Sequence, residues 1–133
     1  MGNGTSIGRV RGLGSSHHGA HHWLVQRITA VGNLVTVLFF GISMALLPNH
    51  TYGTVTDWIG QPVAATMMAL MVITTFWHAR LGLQVLIEDY LHESGTRFGA
   101  VLALNLASFA GTVFGLFCIA RLALGSVALG GAA

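Results

Sequence analysis

The sequence predicts an all-α integral membrane protein of three transmembrane helices, with the N-terminus in the cytoplasm and the C-terminus outside. Three observations lead there. Only 8% of the 133 residues are charged while 53% are hydrophobic, where a soluble domain of this size would be about a quarter charged. Three apolar stretches are each long enough to cross a bilayer, which takes about 20 residues. The arginines gather before the first stretch and between the second and third, and none lies between the first and second.

The first span, about 28–47, reads ITAVGNLVTVLFFGISMALL without an ionisable residue, and at 1.5 Å per residue it covers about 30 Å. Pro48-Asn49 closes it. A polar loop with His50, Tyr52, Gly53 and Asp57 then runs to Gln61-Pro62, where proline is suited to open the next helix. The second span, about 63–87, carries His78 and Arg80, neither of which a lipid-facing helix tolerates near its middle without a partner. A short acidic loop, Glu88 to Arg97, leads to the third span, about 98–127, interrupted only by Asn105 and Arg121 before a glycine and alanine tail. Arg9, Arg11 and Arg27 ahead of the first span and Arg97 in the second loop place residues 1–27 in the cytoplasm by the positive-inside rule. The whole chain, 1–133, makes one domain, and its 18 glycines suit helices that approach closely in a bilayer. The first apolar run starts too late and is too long for a secretory signal, and no mitochondrial-type presequence is expected. That points to a bacterial inner (cytoplasmic) membrane.

Composition also excludes functions. The calculated pI near 9.3 rests on a surplus of two charges, too few for the phosphate contacts of nucleic-acid binding. Cys118 is the only cysteine and lies in an apolar run, so it forms no intramolecular disulfide and reads as packing.

Among the chemistry-bearing residues His78 is the most informative. It lies about 22 Å from Val63 and about 18 Å from Tyr90 along a helix, and an imidazole at that depth must pair its nitrogens and is a ready iron ligand. Gly82 falls about 40° and Asp89 about 20° from it around the helix, so a histidine, a small residue and an acid share a face that admits a flat, bulky ligand. The competing reading is a histidine that only hydrogen-bonds a neighbouring helix. Arg80 points about 200° away and fits packing or an ion pair with another subunit. Asp89 and Tyr90, at the cytoplasmic end of the second span, suit a quinone headgroup, with the phenol donating to a carbonyl, but also an interfacial aromatic belt. Arg27 suits a carboxylate such as a heme propionate, and equally a topology anchor. His17, His18, His21 and His22 have helical i,i+4 spacing, yet no carboxylate or cysteine joins them and Gly19 weakens a helix there. They read as a solvated or interfacial segment.

Two stretches together resemble a known family. HHGAHHWLVQRITAV, residues 17–31, is similar to an H-x-W-x-x-x-R-x-T-A pattern, and WHARLGLQVLIEDYLH, residues 77–92, is similar to an H-A-x-x-G-x-x-x-x-x-x-D-Y pattern. Both patterns belong to the hydrophobic membrane-anchor subunits of succinate dehydrogenase, the succinate:ubiquinone oxidoreductase of respiratory complex II. Span number, length and predicted orientation agree, although the extra histidines leave the N-terminal match inexact. The resemblance implies a membrane-anchor domain with His78 as an axial ligand of heme b, the other histidine coming from the cytochrome b subunit that partners the anchor. It further implies that Tyr90 donates to ubiquinone with Asp89 beside it, and that Arg27 lies near the heme propionates or the quinone pocket. FAD and iron–sulfur clusters are expected on the flavoprotein and iron–sulfur subunits, because this chain has no dinucleotide fingerprint and one cysteine. It is then a non-catalytic subunit of an enzyme. Rival readings are the anchor of a fumarate reductase or other quinone-linked dehydrogenase, a heme-free anchor, and a small transporter or channel subunit in which His78 and Arg80 line an ion path.

Overall fold

The computed structural model describes residues 19–130, and among them the chain is made of helices joined by short connections, with no strand. Arg9, Arg11, His17 and His18 lie outside the described residues. Four helices follow one another: α1 Gly19–Leu46, α2 Tyr52–Gly60, α3 Pro62–Tyr90 and α4 Ser94–Gly130. Three of them, α1, α3 and α4, are long and apolar enough to cross a membrane, as the sequence predicts.

Helix α1 starts nine residues ahead of the first apolar span, at Gly19. His21, His22, Trp23 and Arg27 therefore ride on its opening turns, and the Arg27 guanidinium lies over the Trp23 ring at 5.3 Å, one turn away. Glycine in the first turn breaks little, since the first four N–H groups of any helix have no partner within it.

The second departure is α2, where the sequence predicts a polar loop. Thr51 caps it by accepting from the backbone N–H of Thr54, and Asn49 Oδ1 accepts from the hydroxyls of Thr51 and Thr54. Trp58 then meets the rings of Phe39 and Phe40, each centroid 6.3 Å away, and Ile59 is buried. A local cap plus two aromatic contacts are enough to wind nine residues of modest hydrophobicity.

Pro62 stands in the first turn of α3, where its missing N–H costs nothing. The helix continues unbroken through Glu88 and Asp89 and ends at Tyr90, where the Leu91 N–H closes on Ile87 O. The connection to α4 is short, and Thr96 donates to Glu93 at 2.7 Å just inside it.

Helix α3 is the middle of a single layer, packed against α1 on one side and α4 on the other, while α1 and α4 do not pack against each other among the described residues. The two seams are built differently. Against α1 the seam is polar: Thr29 meets His78, and Asn33 Oδ1 accepts from Thr74 at 2.9 Å and Thr75 at 3.0 Å. Against α4 the seam is tight: Gly115 and Gly111, four apart on α4, sit under Val72 and Phe76. A side-chain carbon at Gly115 would come within 2.8 Å of Val72, so only glycine allows this approach. As residue numbers rise on one helix of each pair they fall on the other, so the helices run up, down, up.

Such a layer hides little of itself. Among the described residues only Ile59, Ala64 and Leu81 are buried apolar residues, and Thr29 and Thr36 are buried polar ones. Leu34, Leu38 and Ile42 on α1 and Phe109, Phe114 and Phe117 on α4 all stand exposed. Water would not tolerate that surface, whereas lipid tails and partner helices do.

Candidate functional site

The site is built on the α1–α3 seam, around His78. Residues 29, 33 and 36 fall on the stripe of α1 that faces α3, which puts three polar side chains of its apolar stretch into the seam. Thr36 back-bonds its own helix at Gly32 O. Thr29 reaches across as well: its Oγ1 lies 3.2 Å from Nδ1 of His78 and 2.9 Å from Val25 O. His78 is half-buried, and its Nε2 makes no hydrogen bond with any described residue.

Beside that free nitrogen the helix surface is small. Thr75, Ala79 and Gly82 follow on the adjoining face of α3, and a carbon added at Gly82 would meet nothing within 4 Å. One unpartnered imidazole nitrogen next to open space is what an axial ligand to a flat macrocyclic iron complex requires. No group of three or more His, Cys, Asp or Glu side chains among the described residues is placed to hold a metal by itself.

The other candidate residues are distributed around this centre. Asp89 shares the His78 face of α3 about 16 Å further toward the chain's next loop, and Tyr90 is the last residue of the helix, with most of its surface exposed. Neither makes a hydrogen bond among the described residues, so both present free polar groups at that end of the layer. Arg27 falls about 200° from Thr29 around α1, and its exposed side chain rests on Trp23 and faces away from α3. It is not brought to His78 within this chain. Its level along α1, two residues from Thr29, nonetheless places it within about 3 Å of the His78 depth.

Arg80 has a partner that sequence reasoning did not assign. Its Nε donates to Oδ1 of Asn105 on α4, and the two residues line a half-open groove of about 430 Å³ with Trp77, Ser108, Phe109 and Thr112. Within this chain a neutral amide is what meets the cation. His78 and Arg80 consequently belong to opposite seams. The signal for Asn105 was its solitary polarity in a long apolar run, and for Thr29 its place in the QRITA stretch, but nothing in one sequence says which helix either residue meets.

Comparison with known proteins places the chain in a family. The succinate dehydrogenase/fumarate reductase transmembrane subunit family matches residues 1–114. The chain is 34% identical over 103 residues to the succinate dehydrogenase hydrophobic membrane anchor subunit of Rickettsia bellii, covering 77% of this chain and 82% of that protein. It is 29% identical over 118 residues to the subunit of the same name from Paracoccus denitrificans, covering 89% and 91%. The succinate dehydrogenase membrane anchor subunit of Reclinomonas americana is 24% identical, over 66% of this chain and 76% of that one. No solved structure matches the chain.

Proposed function

The chain belongs to the succinate dehydrogenase/fumarate reductase transmembrane subunit family, and from that membership we infer that it is the membrane anchor of a succinate:ubiquinone oxidoreductase that supplies one axial ligand of heme b. It lies in the bacterial inner membrane with its N-terminus in the cytoplasm, and it holds an iron–sulfur subunit and, through it, a flavoprotein to that surface. The second axial histidine comes from the partner cytochrome b subunit.

The observation that carries this reading is the state of His78: one ring nitrogen is tied to Thr29, and the other is unpartnered beside open space at Gly82. In lipid an imidazole nitrogen is costly without a partner, and ligation of iron is the role the proposed family function gives Nε2. Heme b, when bound, supplies a one-electron redox centre. The work of this chain is to hold the ring at a set depth and orientation and to keep water from it.

Quinone reduction takes two electrons and two protons, and protons are available only near the aqueous face. Tyr90 and Asp89 stand at the end of α3 assigned to the cytoplasmic side, where the phenol donates to a quinone carbonyl and the carboxylate beside it orients the headgroup. Arg27, with no hydrogen bond of its own among the described residues, presents its donors outward to a carboxylate, that of a heme propionate or a group in the quinone pocket. The family description names fumarate reductase as well as succinate dehydrogenase, so the same arrangement serves electron flow from quinol to fumarate.

The test is a dithionite-reduced minus oxidised spectrum of the complex, assembled with its partner subunits, for wild type and His78→Ala. A b-type signal lost or shifted in the variant is the expected result. A wild-type complex without such a signal, or a signal indifferent to the substitution, overturns the ligand assignment.

A further inference from the structure

The hydroxyl of Thr29 has one hydrogen to give and two lone pairs to offer. Its oxygen lies 2.9 Å from Val25 O and 3.0 Å from Gln26 O, both on its own helix, and 3.2 Å from Nδ1 of His78. Carbonyl oxygens only accept, so a hydroxyl back-bonded to the preceding turn, the usual habit of threonine in a helix, has only lone pairs left for the imidazole. Nδ1 then carries the ring hydrogen and donates it to Thr29.

The opposite assignment leaves a defect. If Thr29 gave its hydrogen to Nδ1, the ring hydrogen would sit on Nε2, which has no acceptor among the described residues. An N–H donor stranded in an apolar layer costs more than an idle lone pair. Thr29 is only 8% exposed, so no bulk water competes for either bond. The hydrogen count closes in one arrangement: Nδ1–H to Thr29, Thr29 to its own helix carbonyl, and a bare lone pair on Nε2.

We propose that Thr29 is the positioning residue of the heme ligand, fixing His78 in the Nδ1–H tautomer and aiming its Nε2 lone pair at the iron. This deepens the heme-ligand reading and rests on it. A donor bond from the distal ring nitrogen both sets the plane of the imidazole and makes its ligating nitrogen more basic. Here the acceptor is a neutral hydroxyl, so the ligand gains orientation without the full anionic character that a carboxylate partner would confer.

The experiment compares the assembled complex carrying wild type, Thr29→Val and Thr29→Ser, reading heme retention against apomyoglobin and the low-spin electron paramagnetic resonance signal of the oxidised heme. Thr29→Val, which keeps the shape and removes the acceptor, is expected to weaken heme retention about 10- to 100-fold, the usual consequence of losing such an outer partner, and to move the resonance positions. Thr29→Ser is expected to match wild type in both. Should valine prevent assembly, Thr29→Cys, whose sulfur is a weak acceptor of similar size, takes its place with the same expectation. Wild-type retention and resonance in the valine or cysteine variant overturn the proposal, and so does a serine variant as defective as the valine one, since the methyl group would then be what matters. A wild-type complex with no b-type signal, or one indifferent to His78→Ala, instead overturns the heme reading itself, so the two failures are told apart.

Discussion

Tyr90 illustrates how much a single side chain must be judged by where its helix ends. It is the last residue of α3, 77% exposed and without a hydrogen bond among the described residues, so within this chain it stabilises nothing. That makes Tyr90→Phe a clean removal of one donor. The substitution is expected to lower quinone reductase activity about five- to tenfold, the equivalent of about 1 kcal/mol for one lost hydrogen bond, while the heme spectrum stays as it is. Unchanged activity removes Tyr90 from the quinone site. The residues with roles in the seams were unequally legible. His78 announces itself because an imidazole at mid-span is costly alone. Thr29 sits inside the other motif, residues 17–31, yet looks ordinary, since a threonine in a helix is normally content with its own backbone. Its second role appears only once α3 is laid beside α1.

Each of the two seams of α3 uses a different means of holding helices together where the hydrophobic effect does not act between them. The α1 seam relies on side-chain hydrogen bonds, with Asn33 serving two threonines on α3. The α4 seam relies on closeness, with Gly111 and Gly115 under Phe76 and Val72 and the Arg80–Asn105 bond beside them. Gly115→Leu is therefore expected to force α4 off α3 and cost the complex several degrees of thermal stability in detergent, about 1–3 kcal/mol by the usual penalty of overpacking. Unaltered melting would show that the approach is loose. A glycine pair spaced by four is readable in the α4 sequence, but its partner helix is not. The α2 helix is hidden from sequence reasoning for a related reason: its residues are weakly apolar, and its partners, Phe39 and Phe40 for Trp58 and the α4 helix it packs against, are distant in the sequence.

The molecule as a whole is one open layer, and its exposed apolar residues on α1 and α4 have only lipid or other subunits to face. On the proposed function, a heme would sit between this layer and a neighbouring subunit, a place that a closed bundle would fill with its own side chains. The orientation proposed for it in the membrane rests on charge. Arg27 and Arg97 flank the end of the layer where Tyr90 emerges, and the connection holding α2 at the other end has no arginine or lysine. Alkaline phosphatase fused after residue 133 is expected to be active outside, and the same enzyme fused after Tyr90 inactive. The reverse pattern would move the quinone site to the outer face and undo the assignment of Tyr90.

Membrane class, the number of spans and their up, down, up course were determined by the sequence by itself, because they depend on properties summed over twenty residues at a time: apolar length and scarce charge. The motif around His78 was equally visible, as chemistry that an apolar span does not carry without cause. Only the tertiary structure decided that His78 meets Thr29, that Arg80 meets Asn105, and that Arg27 turns outward. Each of these depends on which faces of two helices come together and at what register. In a bilayer that choice is made by a handful of polar and glycine contacts between distant segments, and local periodicity carries no information about the partner.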